Sequence, residues 1–209
     1  MKIDEQVSIP LGRTHLMGRL IIPDECKSVV VFAHGSGSSR FSPRNQYVAN
    51  VLNESNIGTL LLDLLTSDEE HDRNNVFDVE LLSQRLQEAI KFLSAHPITA
   101  ELEVGLFGAS TGAAAALTAS TMSDVYAVVS RGGRPDLAIE ILPLVTAPTL
   151  LIVGGEDFEV LELNRIAAAK LNCQNKLAIV PNATHLFEEP GTLEHVSQLT
   201  SEWFISHLP

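Results

Sequence analysis

The sequence predicts an α/β fold: a mainly parallel sheet with helices on both faces, an antiparallel N-terminal edge and no cap domain, in a single domain over residues 1–209. Three observations lead there. Short β-branched or leucine-rich runs recur along the chain and are continuously apolar rather than alternating, as in strands covered on both faces. Stretches with apolar residues at helical spacing lie between them, so strand and helix alternate, which implies right-handed crossovers and parallel pairing. At 209 residues and 45% apolar content, the chain is long enough for one compact domain, which buries about 70% of its extended surface.

Taken in order, residues 7–9 (VSI) and 15–22 (HLMGRLII) form the antiparallel edge. The run 29–33 (VVVFA) is the first buried strand and empties into His34-Gly35-Ser36-Gly37-Ser38-Ser39-Arg40, after which Ser42-Pro43 marks a helix start. A second run covers 57–63, and the polar span 65–77, with SDEEHDRNN, reads as a mobile loop at that strand's carboxyl end. A helix follows over 78–95, with Asp78 as N-cap and Val79, Leu82, Leu86, Ala89, Ile90 and Leu93 on one face. Further strand runs cover 104–107, 125–130, 149–153 and 177–180, and Thr192 starts a last helix ending near His207. The segment 131–148 is too short for a helical cap, so an open, shallow site is expected, suited to small substrates or the exposed ends of larger ones.

Composition narrows the partners. A net charge of −12 opposes nucleic acid and anionic bilayers, which require clustered Lys and Arg. Cys26 and Cys173 stand apart from each other and from any histidine cluster, so neither a disulfide framework nor a zinc site is indicated and no metal is expected. The N-terminal stretch MKIDEQVSIP has no apolar core, and no run reaches the roughly 18 residues of a membrane span. The expectation is a cytoplasmic protein acting on a small molecule, without nucleic acid or membrane, and with a homodimer left open.

Ligands of open α/β sheets bind beyond the carboxyl ends of the strands. There, after the run 104–107, Gly108-Ala109-Ser110-Thr111-Gly112 reads G-x-S-x-G in a strand-to-helix setting, with Ser110 as candidate nucleophile. A glycine-rich turn opening an alanine-rich helix is the plain alternative. A serine hydroxyl needs a base, and the base an orienting acid. His185, just beyond the last strand run, is the base; the other six histidines fall in the N-terminal edge, the polar loop, helices or the first loop. Asp157, at the end of the preceding strand, is the acid, with Glu156 pointing differently and Asp136 as runner-up. Loop 34–37 lacks the Lys of a P-loop and has Arg40 where a dinucleotide loop needs its third glycine. It suits an oxyanion instead, through the backbone N–H groups of Ser36 and Thr111.

Five arginines, Arg40, Arg44, Arg73, Arg131 and Arg134, fall in loops after strands. Arg131, with Arg40 or Arg134, is expected to recognise an anionic group on the substrate, because guanidinium forks suit carboxylate and phosphate. Salt bridges to Asp68, Glu69, Glu70 or Asp136 are the alternative.

By "HGSGSS", "LLLDLLT", "GASTGAAAAL", "SRGGRPDL", "PTLLIVGGEDFEV" and "ATHLFEEPG", the chain resembles the dienelactone hydrolase-like branch of the α/β-hydrolase superfamily over essentially its whole length. The resemblance implies the α/β-hydrolase fold, a Ser110, Asp157, His185 triad in that superfamily's chain order, hydrolysis through an acyl-enzyme, and no cofactor. One departure stands out: the dienelactone hydrolases proper carry a cysteine nucleophile, and this chain has Ser110. The expected function is therefore an esterase-like serine hydrolase cleaving a small ester, lactone or thioester. A hydrolase-fold binding protein without chemistry and an acyltransferase are the alternatives.

Overall fold

The computed structural model describes residues 3–209. Eight strands, β1 (Ile3–Leu11), β2 (Thr14–Ile22), β3 (Ser28–Ala33), β4 (Gly58–Leu62), β5 (Glu103–Ala109), β6 (Ala127–Arg131), β7 (Thr149–Gly154) and β8 (Asn175–Val180), form one sheet. Their order is β1-β2-β4-β3-β5-β6-β7-β8. β1 and β2 make an antiparallel hairpin, β2 meets β4 antiparallel, and every later pairing is parallel. Gly12, at φ 58°, takes the left-handed conformation that a two-residue hairpin loop demands.

The helices are α1 (Pro43–Glu54), α2 (Arg73–Phe77), α3 (Val79–Ala95), α4 (Thr111–Ser120), α5 (Phe158–Lys170) and α6 (Thr192–His207). The continuously apolar strands explain why two cores form. In β3, Val29, Val31 and Ala33 enter one cluster with Leu86 of α3 and Ala116 of α4, while Val30 and Phe32 enter the other with Val48 of α1 and Phe204 of α6. Successive side chains thus leave opposite faces of the pleat, and each face is covered. α3 buries Leu82, Ser83, Leu86, Ala89, Ile90 and Leu93 as its stripe, and Asp78 caps it by accepting the Leu81 N–H at 2.9 Å. Full burial of a side chain such as Leu86 contributes about 1.5–3 kcal/mol.

Two spans bear on the site. Residues 65–77, expected as a loop, hold a 3₁₀ turn (Glu69–His71) and α2. Their acids are what make this possible: Asp72 accepts the Asn74 N–H at 2.9 Å, and Glu69 accepts the Thr66 N–H at 2.9 Å and an Arg85 guanidinium N–H at 2.5 Å. Burial tends to raise the Glu69 carboxyl, but these Thr66 and Arg85 contacts outweigh it and hold it below its ordinary value. Residues 131–148 contain only the 3₁₀ turns Pro135–Ala138 and Leu142–Leu144, so no cap domain covers the strand ends. Because β3 to β8 run parallel, the loops after them share one rim.

Candidate active site

The turn from β5 into α4 places Ser110 at φ 51°, ψ −121°. Such a backbone costs on the order of 1–3 kcal/mol and persists only where its surroundings impose it. They do so here. A side chain on Gly108 would meet the Ala113 backbone, and one on Gly112 would meet the carbonyls of Ala33 and His34. The Ser110 N–H donates to the Arg131 carbonyl at 3.2 Å, and its own carbonyl accepts from the Arg134 N–H at 3.0 Å. The exit of β6 therefore brackets the elbow.

The residues expected as acid and base are locked together. His185 Nδ1–H donates to Asp157 Oδ2 at 2.6 Å, with the Asp157 side chain largely buried and the imidazole about a third exposed. Asp157 occupies the N-cap position of α5 yet makes no capping bond, so its carboxylate is free for the imidazole. Two backbone bonds join their loops: the Gly155 N–H donates to the Val180 carbonyl at 2.8 Å and the Glu156 N–H to the Ala183 carbonyl at 2.9 Å. The turn carrying His185 is held further by Thr184, whose hydroxyl and N–H donate to Glu189 at 2.6 and 3.1 Å. Those bonds, the hydroxyl first, keep the Glu189 carboxyl below its ordinary value. Phe187, at φ 56° and 2% exposed, pins the turn from below. Asp136 serves elsewhere: it takes both forks of Arg134 at 2.9 and 2.8 Å.

His185 and Ser110 flank the same turn. A Cβ on Gly132 would lie 3.5 Å from the His185 ring, one residue from the Arg131 carbonyl that holds Ser110. Among the described residues the Ser110 hydroxyl makes no hydrogen bond, so Asp157 and His185 form a preset pair, joined to Ser110 only through the Gly132 turn between them. Catalytic contacts of this kind are often long in a ligand-free site and tighten around substrate.

The loop after β3 lies against Ser110, for a Cβ on Gly35 would come within 3.0 Å of Ser110 Cβ. His34 is buried, and burial pushes its pKa below the ordinary value. It accepts the Leu64 N–H at Nε2 (3.1 Å), which leaves the proton on Nδ1 to donate to the Gly35 carbonyl at 3.0 Å. Asp63 adds a second tie, accepting from the Arg40 N–H at 2.8 Å and from its guanidinium. Ser36 and Thr111, expected as the two backbone donors, do meet there, in an unexpected way: the Ser36 N–H donates to Thr111 Oγ1 at 2.9 Å. Beside this loop a cavity of about 630 Å³ is lined by Leu64, Leu65, Val76 and Leu82, and by Phe41 and Arg44.

The arginines divide. Arg40 is held by Asp63, Arg134 by Asp136, and Arg44 by Glu188 at 3.1 Å. Arg131 has no carboxylate among the described residues. It is 7% exposed, its Nε and Nη1 lack partners, and its guanidinium carbon lies 6.0 Å from the Phe187 ring centre. Burial, and then the Arg44 charge, lowers its pKa to about 10. Spacing in the sequence could point to Arg134 and Asp136; it could not reveal the Arg40–Asp63 tie or the Thr111 hydroxyl, which join residues far apart in the chain.

A family model described as an alpha/beta hydrolase domain matches residues 26–202. Proteins from two strains of Mycobacterium tuberculosis, provisionally named phosphoribosyl transferases, are 56% identical over 207 residues, which is 98% of this chain and 47% of theirs. The chain thus spans about half the length of these curated relatives. A dienelactone hydrolase from Anabaena variabilis superposes with a TM-score of 0.96 at 51% identity, over 100% of this chain and 99% of that one. Est1E from Butyrivibrio proteoclasticus shares the fold, with a TM-score of 0.83 at 15% identity over 97% of this chain and 98% of its own.

Proposed function

The chain belongs to the alpha/beta hydrolase family, and on that premise we propose that it is a serine hydrolase that cleaves a small ester, lactone or thioester through an acyl-enzyme on Ser110. The observation that carries this reading is the strained Ser110 backbone standing beside the ready-made Asp157–His185 pair. His185 Nε2 takes the Ser110 proton as the hydroxyl attacks the carbonyl carbon. Asp157 fixes the tautomer and stabilises the imidazolium. His185 then protonates the leaving group, and in the second half it draws a proton from water to release the acid. The oxyanion is received at the N-terminus of α4, where the Thr111 N–H has no acceptor among the described residues, beside the Ser36 turn. The apolar wall of Leu64, Leu65, Val76 and Leu82 suits a modest acyl or alkyl group.

An anionic group on the substrate fits Arg131. An unpaired buried charge is costly, and a carboxylate or phosphate would satisfy the nitrogens left without partners. Arg40 and Arg134, already held by Asp63 and Asp136, support the site's shape instead.

Ser110→Ala should lower turnover of an activated ester by at least about 10⁴-fold, and a fluorophosphonate should label the wild-type protein and not the variant. Persistence of activity in the variant would refute the assignment. Transfer is the second reading, favoured by the name of the mycobacterial relatives. That name covers proteins about twice as long, so the chain is to be assayed for phosphoribosyl transfer alongside ester hydrolysis. Supplying alcohol or thiol acceptors in competition with water separates an acyltransferase from a hydrolase.

A further inference from the structure

The bond from the Ser36 N–H to Thr111 Oγ1 occupies the donor that an oxyanion would be expected to use. It also leaves the Thr111 hydroxyl with its proton unspent. Several other threonine hydroxyls give theirs to a nearby carbonyl, Thr99 to Leu93 at 2.6 Å, Thr192 to Glu189 at 2.7 Å and Thr200 to Val196 at 2.7 Å; the buried Thr118 hydroxyl also lacks a partner, but it lies within α4, away from the cavity. Thr111 opens α4, and the residue four before it, Phe107, lies in β5, so no preceding helical turn offers a carbonyl. Its oxygen accepts from Ser36, and its own proton has no acceptor among the described residues. The side chain is 5% exposed, adjoins Ser110 in sequence and lines the 630 Å³ cavity. Gly35, whose Cβ would touch Ser110, carries the Ser36 peptide to the same place.

We propose that the Thr111 hydroxyl is a catalytic group which donates a hydrogen bond to the oxyanion, with the Ser36 amide behind it rather than on the substrate. The inference rests on the serine-hydrolase reading. As the Ser110 oxygen bonds to the carbonyl carbon, its proton passes to His185 and the carbonyl π pair moves onto oxygen. Thr111 donates to that oxygen without losing its proton, and the Ser36 N–H, donating to the same hydroxyl, polarises it. When the intermediate collapses, the π bond reforms, the bond to the leaving group breaks, and that group takes the proton from His185. The Thr111 amide is the second donor, so one residue supplies both contacts.

Thr111→Val preserves shape and removes the proton; Thr111→Ser preserves the proton. With p-nitrophenyl acetate, Thr111→Val should lose about 10²-fold in kcat with little change in KM, while Thr111→Ser stays within about tenfold of wild type. A thionoester, whose sulfur accepts hydrogen bonds poorly, reports the contact directly. The preference of the wild type for oxygen over sulfur should shrink in Thr111→Val, a change that loosened packing would not produce. Thermal midpoints accompany each variant, and Thr111→Ala substitutes for Thr111→Val if the latter does not fold. Thr111→Val turning over as fast as wild type or faster would overturn the proposal, because the hydroxyl would then merely shield the Ser36 amide until substrate displaces it. A wild type that hydrolyses no ester and resists fluorophosphonate overturns the hydrolase reading together with this one. A labelled, active wild type with an undiminished Thr111→Val overturns this one alone.

Discussion

At the scale of the residue, Arg131 shows how stability and specificity diverge. A guanidinium with two buried, unpartnered nitrogens and a second arginine as its electrostatic neighbour is expected to cost the fold stability. Arg131→Met, close in volume and uncharged, should leave the thermal midpoint unchanged or raised. It should also cut kcat/KM for a carboxylate-bearing ester by about 10-fold to 100-fold relative to its neutral counterpart, the worth of a charge-assisted hydrogen bond. If the midpoint falls by several degrees and both esters are affected alike, Arg131 is an architectural residue and the anionic preference is wrong. The sequence placed this arginine at a strand end, the face where ligands of such sheets bind, and it closes β6 beside Ser110. What it could not show was which arginines were already neutralised, because Arg40 and Asp63 meet only through the pairing of β3 with β4.

At the scale of the element, the loop after β3 is shaped by His34, an uncharged side chain that bridges Leu64 and Gly35. Its pKa is lowered from the ordinary 6.5 by burial. Stability from this group is complete above 6.5 and is drained as pH falls from there through the lowered folded value, because the unfolded chain takes up the proton first. Thermal melts between pH 8 and pH 5 should therefore show less loss in His34→Gln than in wild type; equal loss would mean that other groups set the acid limit. The elements themselves were largely legible. The stripe of α3 and its Asp78 cap follow from spacing alone, and the six continuous runs mark strands, five of them covered on both faces; the sixth, in β8, is the edge of the sheet and leaves Ile179 exposed. The span 65–77 was less so. Its charge pattern resembles a solvated loop, and only the partners of Glu69 and Asp72, one of them in α3, make it fold. Asp157 and His185 were readable as strand-end residues and are in contact, whereas their approach to Ser110 depends on the bend of residues 131–134, which carries no local signature.

At the scale of the whole molecule, a charge of −12 repels anions before they reach any arginine. Raising ionic strength from about 0.01 M to about 0.1 M shortens the screening length from about 30 Å to about 10 Å. Over that range kcat/KM for a carboxylate-bearing ester should rise several-fold while that of a neutral ester stays level. A fall would mean that the local field of Arg44 and Arg131 outweighs the net charge.

The alanines at 113–116 are wholly inaccessible to solvent, which brings the axis of α4 close to the strands and leaves no slack beneath its first turn. Anyone retooling this scaffold for a new substrate inherits that rigidity. Variation belongs in the segments 65–77 and 137–148, clear of residues 131–134, which bracket the elbow, and of Asp136, which holds Arg134, and libraries that enlarge residues beneath the elbow will mostly return dead clones.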